Sequence, residues 1–169
     1  MKSENIVLIG MAGVGKSTVG RVLSKELKFA FTDLDEYILE KEGRTAQEII
    51  NTEGESTFLE AEARRMYEID LRRRVVAPGG SIIYISGLME YLKQNSTLVY
   101  LYNSFDDIEI RLSDRSSRGI VGLRNKSLRE VYDERCSLYS KYADFTVNCK
   151  GKTADQIARD ILNYFAQKN

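Results

Sequence analysis

A glycine-rich stretch near the start of the chain constrains its fold more than any other feature. The stretch is Gly10-Met-Ala-Gly-Val-Gly-Lys-Ser17, and it follows the apolar run Ile6–Ile9. Residues 18–27 come next, and their apolar side chains recur at helical spacing. This order predicts a strand, a glycine-rich loop and a helix, which is the context of a Walker A motif.

The residue types in this loop suit the binding of a phosphate. Glycines let successive backbone N–H groups point inward and surround a phosphate at the positive end of the following helix. Lys16 can then reach the β and γ phosphates, and the Ser17 hydroxyl can ligate Mg²⁺. A dinucleotide-binding loop has the spacing Gly-x-Gly-x-x-Gly, which differs from the spacing found here. The remaining alternative is an ordinary glycine-rich turn with a solvated Lys16.

Charge and residue usage argue against several other functions. Lys plus Arg and Asp plus Glu both number 25, so no net charge attracts nucleic acid or an anionic membrane. The chain has no histidine, which excludes histidine-based triads and most zinc sites. Cys136 and Cys149 lack metal-ligand spacing and suit reduced thiols. No segment is apolar enough to span a bilayer, and glycines and Lys16 interrupt the early apolar run. We therefore expect a cytoplasmic monomer with no nucleic-acid or membrane partner.

Strand-like and helix-like segments alternate along the rest of the chain. We predict strands over residues 6–9, 29–32, 75–77, 97–102 and 145–147. We predict helices over residues 18–27, from about 36, and over 46–50, 55–73, 86–94, 105–112, 128–142 and 154–166. Thr45 and Ser104 are predicted helix N-caps, each with an acidic residue three positions later. The alternation predicts a three-layer α/β fold in which helices cover both faces of a parallel five-stranded sheet.

Two aspartates, Asp33 and Asp35, follow the second predicted strand. They leave the sheet at the same edge as the phosphate loop, where open α/β sheets bind ligands. Alternation along an extended segment would place both side chains on one face. One carboxylate can then hold the magnesium shell while the other faces an acceptor. Alternatively, both aspartates cap the helix that follows.

Taken together, these segments resemble the shikimate kinases, small members of the nucleoside-monophosphate-kinase-like P-loop fold. The resemblance covers nearly the whole chain. Its motifs are the phosphate loop, Asp33-x-Asp35, Gly54-Glu55-x-x-Phe58 with Glu62, Pro78-Gly79-Gly80-Ser81, Arg111, Arg118, and Arg135-Cys-Ser-Leu-Tyr139 followed by Ala143-Asp144.

The resemblance implies transfer of the γ-phosphoryl group of ATP to the 3-hydroxyl of shikimate, a step of aromatic amino-acid biosynthesis. The catalytic residues that it implies are Lys16, Asp35 and Arg118. The implied ATP-binding residues are Gly13, Val14, Gly15, Lys16, Ser17, Thr18, Arg111 and Arg118. The implied acceptor-binding residues are Asp35, Gly79, Gly80 and Arg135, and Mg²⁺ would be held by Ser17 and, through water, Asp33. It also implies one domain over residues 1–169, with a substrate-binding segment of about 34–62 and a lid loop of about 113–125.

The sequence departs from the family pattern in the acceptor-binding region. Leu59 stands where the family has an arginine that, with the arginine matching Arg135, clamps the shikimate carboxylate. Loss of one charge-assisted hydrogen bond, worth about 1.5 to 3 kcal/mol, weakens carboxylate binding roughly ten- to a hundredfold. Ser81 replaces a glycine and places a side chain close to the acceptor pocket, and the lid lacks the proline that follows the family's arginine. The alternatives are therefore a kinase for another polyol, sugar acid or nucleotide, and a nucleotide-binding regulatory module.

Overall fold

The computed structural model describes residues 5–113 and 119–167. Within these ranges, five parallel strands form one sheet with the order β2-β3-β1-β4-β5. The strands are β1 (Ile6–Ile9), β2 (Ala30–Asp33), β3 (Arg74–Ala77), β4 (Thr97–Tyr102) and β5 (Phe145–Asn148). The helices are α1 (Lys16–Leu27), α2 (Leu34–Glu42), α3 (Ala46–Glu53), α4 (Glu55–Glu68), α5 (Ser86–Asn95), α6 (Phe105–Ser113), α7 (Leu128–Tyr142) and α8 (Ala154–Gln167).

The central strand β1 explains the layered architecture. Its four residues are all buried, and it pairs with β3 on one side and β4 on the other. Successive side chains of a strand point to opposite faces, so burial of all four means that both faces of the sheet are covered. This confirms the predicted three-layer fold. None of the helices that the structure describes is long and apolar enough to cross a membrane.

The helix predicted over residues 55–73 is shorter than expected. Helix α4 ends at Glu68, and the backbone of Ile69 is extended. Ile69 and Leu71 are both buried. A continued helix would turn these two side chains out of their buried positions. The Asp70 carboxylate accepts a hydrogen bond from the Arg72 backbone N–H and closes the turn that leads into β3. Tertiary burial therefore overrode helix propensity here.

The parallel arrangement brings the ends of all five strands to one edge of the sheet. The phosphate loop follows β1, Asp33 ends β2, and the segment 78–81 follows β3. The segment 78–81 leads into a short 3-10 turn, Ile82–Tyr84, which the sequence pattern did not predict. The edge at which these segments meet is where ligands bind in open α/β sheets.

Candidate active site

A cleft of about 860 Å³ lies at the carboxyl edge of the sheet. Every predicted site residue within the described ranges lines it: Gly13, Val14, Gly15, Lys16, Ser17, Thr18, Asp33, Asp35, Gly79, Gly80, Arg111 and Arg135. Arg118, predicted to be catalytic and to bind ATP, lies outside the described residues. The fold thus brings together residues that are up to about 120 positions apart in the chain.

The phosphate loop has the backbone conformation that its glycines predict. Gly13 and Gly15 have φ values of 80° and 107°, in the region that favours glycine. Helix α1 begins at Lys16, and no side chain caps it. Its first N–H groups therefore face the loop, as in helix N-termini that bind anions. The Lys16 ammonium donates hydrogen bonds to the carbonyls of Gly10 at 2.7 Å and Met11 at 3.0 Å, which folds this side chain over the loop.

The two aspartates line the cleft as predicted, but they do not lie together on one extended segment. Asp33 is the N-cap of α2, and its carboxylate accepts hydrogen bonds from the backbone N–H groups of Asp35 and Glu36 at 3.0 and 3.3 Å. Asp35 therefore lies in the first helical turn and not on an extended segment, so the strand-alternation argument was wrong. The physical reason is that the Asp33 cap starts the helix two residues earlier than expected. The capping alternative is correct for Asp33, and both side chains still line the cleft.

Arg135 lines the cleft and is almost fully buried, with 1% of its surface exposed. Its Nη2 atom donates to the Val121 carbonyl at 2.8 Å, and its guanidinium lies 5.3 Å from the centre of the Tyr84 ring. The Nη1 atom lies beside Gly80, where an added Cβ would come within 2.8 Å of it. The Tyr139 hydroxyl donates to the Gly80 carbonyl at 2.6 Å. Glycine at position 80 is thus required for the close approach of Arg135 to this loop.

Glu62 lies behind the neighbouring glycine and is fully buried. The Ser81 hydroxyl donates to its Oε2 atom at 2.7 Å. Its Oε1 atom packs against Gly79, where an added Cβ would lie 2.3 Å away, and has no hydrogen-bond partner among the described residues. Burial raises the pKa of Glu62 to about 7, because removal from water penalises the charged form. The nearby Asp35 carboxylate raises this pKa further, whereas the Ser81 hydrogen bond lowers it.

The structure gives Glu62 no arginine partner from its own helix. Leu59, one turn earlier on α4, is half-buried and packs against the hydrophobic core. Arg64 and Arg65 both bind Glu42, at 2.7 and 2.9 Å, and so they point away from the cleft. Neither side chain therefore replaces the missing arginine.

Sequence reasoning missed one wall of the cleft. Arg111 donates to the carbonyls of Gly13 and Val14 at 3.3 and 3.2 Å, and the cleft continues past it to Lys152 and Ile157. These two residues follow β5. The polar segment 150–153 after a predicted parallel strand was the available signal, because that segment must leave the sheet at the same edge as the phosphate loop.

The described part of the predicted lid loop lines the cleft and packs against neighbouring helices. Gly119 lies against Gln47 of α3, and Val121 is buried. The Gly122 backbone N–H donates to the Glu55 carboxylate at 2.8 Å. Residues 119–122 therefore contact both α3 and α4, while their role as a lid stays a prediction.

A family model described as "Shikimate kinase" matches residues 12–166. Shikimate kinases from Staphylococcus haemolyticus and Persephonella marina are 36% and 33% identical to this chain; the matches cover 96% and 94% of this chain, and 95% and 97% of those proteins.

A shikimate kinase from Acinetobacter baumannii, solved in complex with shikimate, superimposes with a TM-score of 0.91 at 32% identity, over 98% of this chain and 94% of that one. A gluconokinase from Sinorhizobium meliloti, at 19% identity and a TM-score of 0.57, shares the fold alone. The extent of the family match, together with a phosphate loop and paired aspartates in one cleft, places this chain in the shikimate kinase family.

Proposed function

We propose that this protein transfers the γ-phosphoryl group of ATP to the 3-hydroxyl of shikimate. The observation that carries the proposal is that a single cleft holds the phosphate loop, an exposed aspartate at the start of α2 and a buried arginine from α7. The phosphate loop suits the phosphates of the donor, the aspartate suits the acceptor hydroxyl, and the arginine suits the acceptor carboxylate.

The phosphate loop binds the nucleotide. Backbone N–H groups at the start of α1 surround the phosphates, and Lys16 leaves its loop carbonyls to neutralise charge on the transferring phosphoryl group. Such electrostatic stabilisation is the main contribution to catalysis in phosphoryl transfer. Arg118 is the second predicted cation for this charge.

Ser17 and Asp33 are the residues that would hold Mg²⁺. Both line the cleft beside the phosphate loop, and hydroxyl and carboxylate oxygens are ligands that suit this ion. When bound, Mg²⁺ would neutralise charge on the phosphates of ATP.

Asp35 and Arg135 act on the acceptor. Asp35 accepts a hydrogen bond from the 3-hydroxyl, orients it, and takes its proton as the oxygen bonds to phosphorus and ADP leaves. Arg135 donates to the acceptor carboxylate beside Gly80. Two glycines, Gly79 and Gly80, keep this part of the cleft open, because a Cβ at either position would collide with Glu62 or Arg135.

The direct test is ADP release by the purified protein with Mg²⁺ and ATP, measured across a wide range of shikimate concentrations. Phosphorylated shikimate is identified separately, so that hydrolysis of ATP is not counted as transfer. Lys16→Met, prepared in the same way, controls for contaminating activity and should lose turnover. We expect saturable turnover that depends on shikimate, with a high KM because Leu59 supplies no cation.

Two results would contradict this proposal. ATP binding without turnover at any shikimate concentration would favour a nucleotide-binding regulatory module. Turnover with gluconate or another polyol, but none with shikimate, would favour a kinase of the same fold with a different acceptor.

A further inference from the structure

The buried carboxyl group of Glu62 is not used by the proposed reaction, yet it lies directly behind the acceptor end of the cleft. Its side chain has no exposed surface. One oxygen is held by Ser81 and the other is without a hydrogen-bond partner among the described residues. A buried carboxyl group in this condition is costly to ionise, so a role beyond packing has to be considered.

Glu62 and Arg135 approach two consecutive residues of the same loop. Glu62 Oε1 packs on Gly79, and Arg135 Nη1 packs on Gly80. The carboxyl group and the guanidinium thus lie on adjacent parts of the segment that faces the acceptor. Each influences the electrostatic potential that an acceptor carboxylate meets there.

We infer that Glu62, held in place by Ser81, is a positioning residue whose ionisation weakens the binding of a carboxylate-bearing acceptor by this chain. The inference rests on the proposed function, since it concerns how that acceptor is bound.

The charges around Glu62 determine the sign of the effect. Lys16 and Arg135 are positively charged groups that act on Glu62, and Asp35 is a negatively charged one. On its own helix, Arg65 is bound to Glu42 and Glu68. With Glu62 neutral, the two cations outnumber the one anion near the acceptor, whereas with Glu62 ionised the charges balance.

An anionic acceptor is therefore held more firmly when Glu62 is protonated. Ordinary carboxyl groups titrate near pH 4, so the acceptor carboxylate stays ionised above pH 5.5. The pKa of Glu62 is raised to about 7 by burial, which places its ionisation within the range where the protein can be assayed. Acceptor binding should weaken as the pH rises through this value and should be accompanied by proton uptake near pH 7.

Calorimetric titration of the full chain with shikimate between pH 5.5 and 8.5 tests this inference. For the wild type, we expect Kd to rise roughly three- to tenfold across the range. Near pH 7, titrations in buffers of different ionisation enthalpy should reveal proton uptake. Glu62→Gln keeps an acceptor for the Ser81 hydroxyl but cannot ionise, so its Kd should be nearly independent of pH. Glu60→Gln, at an exposed position of the same helix, should behave as the wild type.

Ser81→Ala provides a second variant that does not depend on Glu62→Gln folding correctly. Removing the hydroxyl removes a hydrogen bond that favours the charged carboxylate, so the rise in Kd should move to higher pH. The same pH dependence in Glu62→Gln and wild type, or an unmoved transition in Ser81→Ala, would overturn the inference while leaving shikimate as the acceptor. Absence of shikimate binding at every pH would overturn the proposed function and this inference together.

Discussion

Asp35 shows how a single side chain can connect the fold to the chemistry. It is exposed in the first turn of α2, while the preceding cap, Asp33, is buried and held by two backbone N–H groups. The cap fixes the start of the helix, and so it fixes the direction in which Asp35 enters the cleft. Two carboxylates with such different surroundings suit different tasks: Asp33 caps a helix beside the proposed metal site, and Asp35 is the residue proposed to face the acceptor.

Replacing Asp35 by asparagine should separate catalysis from binding. Asparagine can still accept a hydrogen bond but is a poor base, so we expect kcat to fall by roughly 10²- to 10⁴-fold while ATP affinity stays near the wild-type value. Asp106→Asn is a matched control, because Asp106 is exposed in the first turn of another helix. Steady-state kinetics and nucleotide titration measure the two effects. An unchanged kcat would contradict the role proposed for Asp35.

Leu59 permits the reverse experiment, in which a contact is added. Leu59→Arg places a cation one turn from Glu62, at a spacing where oppositely charged side chains pair on a helix. We expect KM for shikimate to fall about tenfold or more, and its pH dependence to diminish because the new cation stabilises ionised Glu62. Leu59→Gln, which removes the apolar side chain without adding charge, should not reproduce the gain. If KM is the same in Leu59→Arg and the wild type, carboxylate binding does not depend on this position.

At the scale of whole elements, the helix caps determine where the helices that carry site residues begin. Helix α7 begins with a capping box in which the Ser127 hydroxyl accepts from the Glu130 N–H at 3.2 Å and the Glu130 carboxylate accepts from the Ser127 N–H at 2.7 Å. This helix carries Arg135 into the cleft. The start of α7 is thus set by residues that are neighbours in the sequence.

Ser127→Ala should lower stability without changing the cleft itself. Loss of a serine N-cap costs about 1 kcal/mol, which for a chain of this size lowers Tm by roughly 2 to 4 °C. Ser140→Ala, at an exposed position later in the same helix, should leave Tm unchanged or slightly higher because alanine favours helix. Thermal unfolding measures both variants. Equal melting temperatures would mean that tertiary packing alone fixes the start of α7.

At the scale of the whole molecule, the cleft is closed by contacts between segments that are distant in the sequence. The Glu55 carboxylate at the start of α4 accepts from the Gly122 N–H, and the Arg135 guanidinium donates to the Val121 carbonyl. The predicted lid segment therefore contacts both α4 and the arginine proposed to bind the acceptor.

Removing one of these contacts should make phosphoryl transfer to the acceptor less efficient. Glu55→Ala removes the acceptor of the Gly122 N–H, so the segment over the cleft should exclude water less well. We expect the ratio of ADP released to phosphorylated shikimate to rise above that of the wild type. Glu60→Ala is the control on the same helix. A ratio equal to the wild type's would show that this contact does not help to exclude water.

The sequence by itself determined those features that depend on neighbours along the chain. Strand β4 and helix α7 have their predicted bounds, and Thr45 caps α3 as predicted, because apolar periodicity and capping chemistry act within a few residues. The phosphate loop could be predicted from the sequence for the same reason. The roles of individual site residues remain predictions.

Only the tertiary structure decided which distant groups meet behind the cleft. Ser81 and Glu62 are 19 positions apart, and Arg135 and Val121 are 14 apart on different elements. Their pairing depends on how helices pack on the sheet, and no local pattern encodes that packing. The same holds for the raised pKa of Glu62, since the cost of ionising a carboxyl group is set by the burial that surrounding elements impose and not by the residues beside it in the sequence.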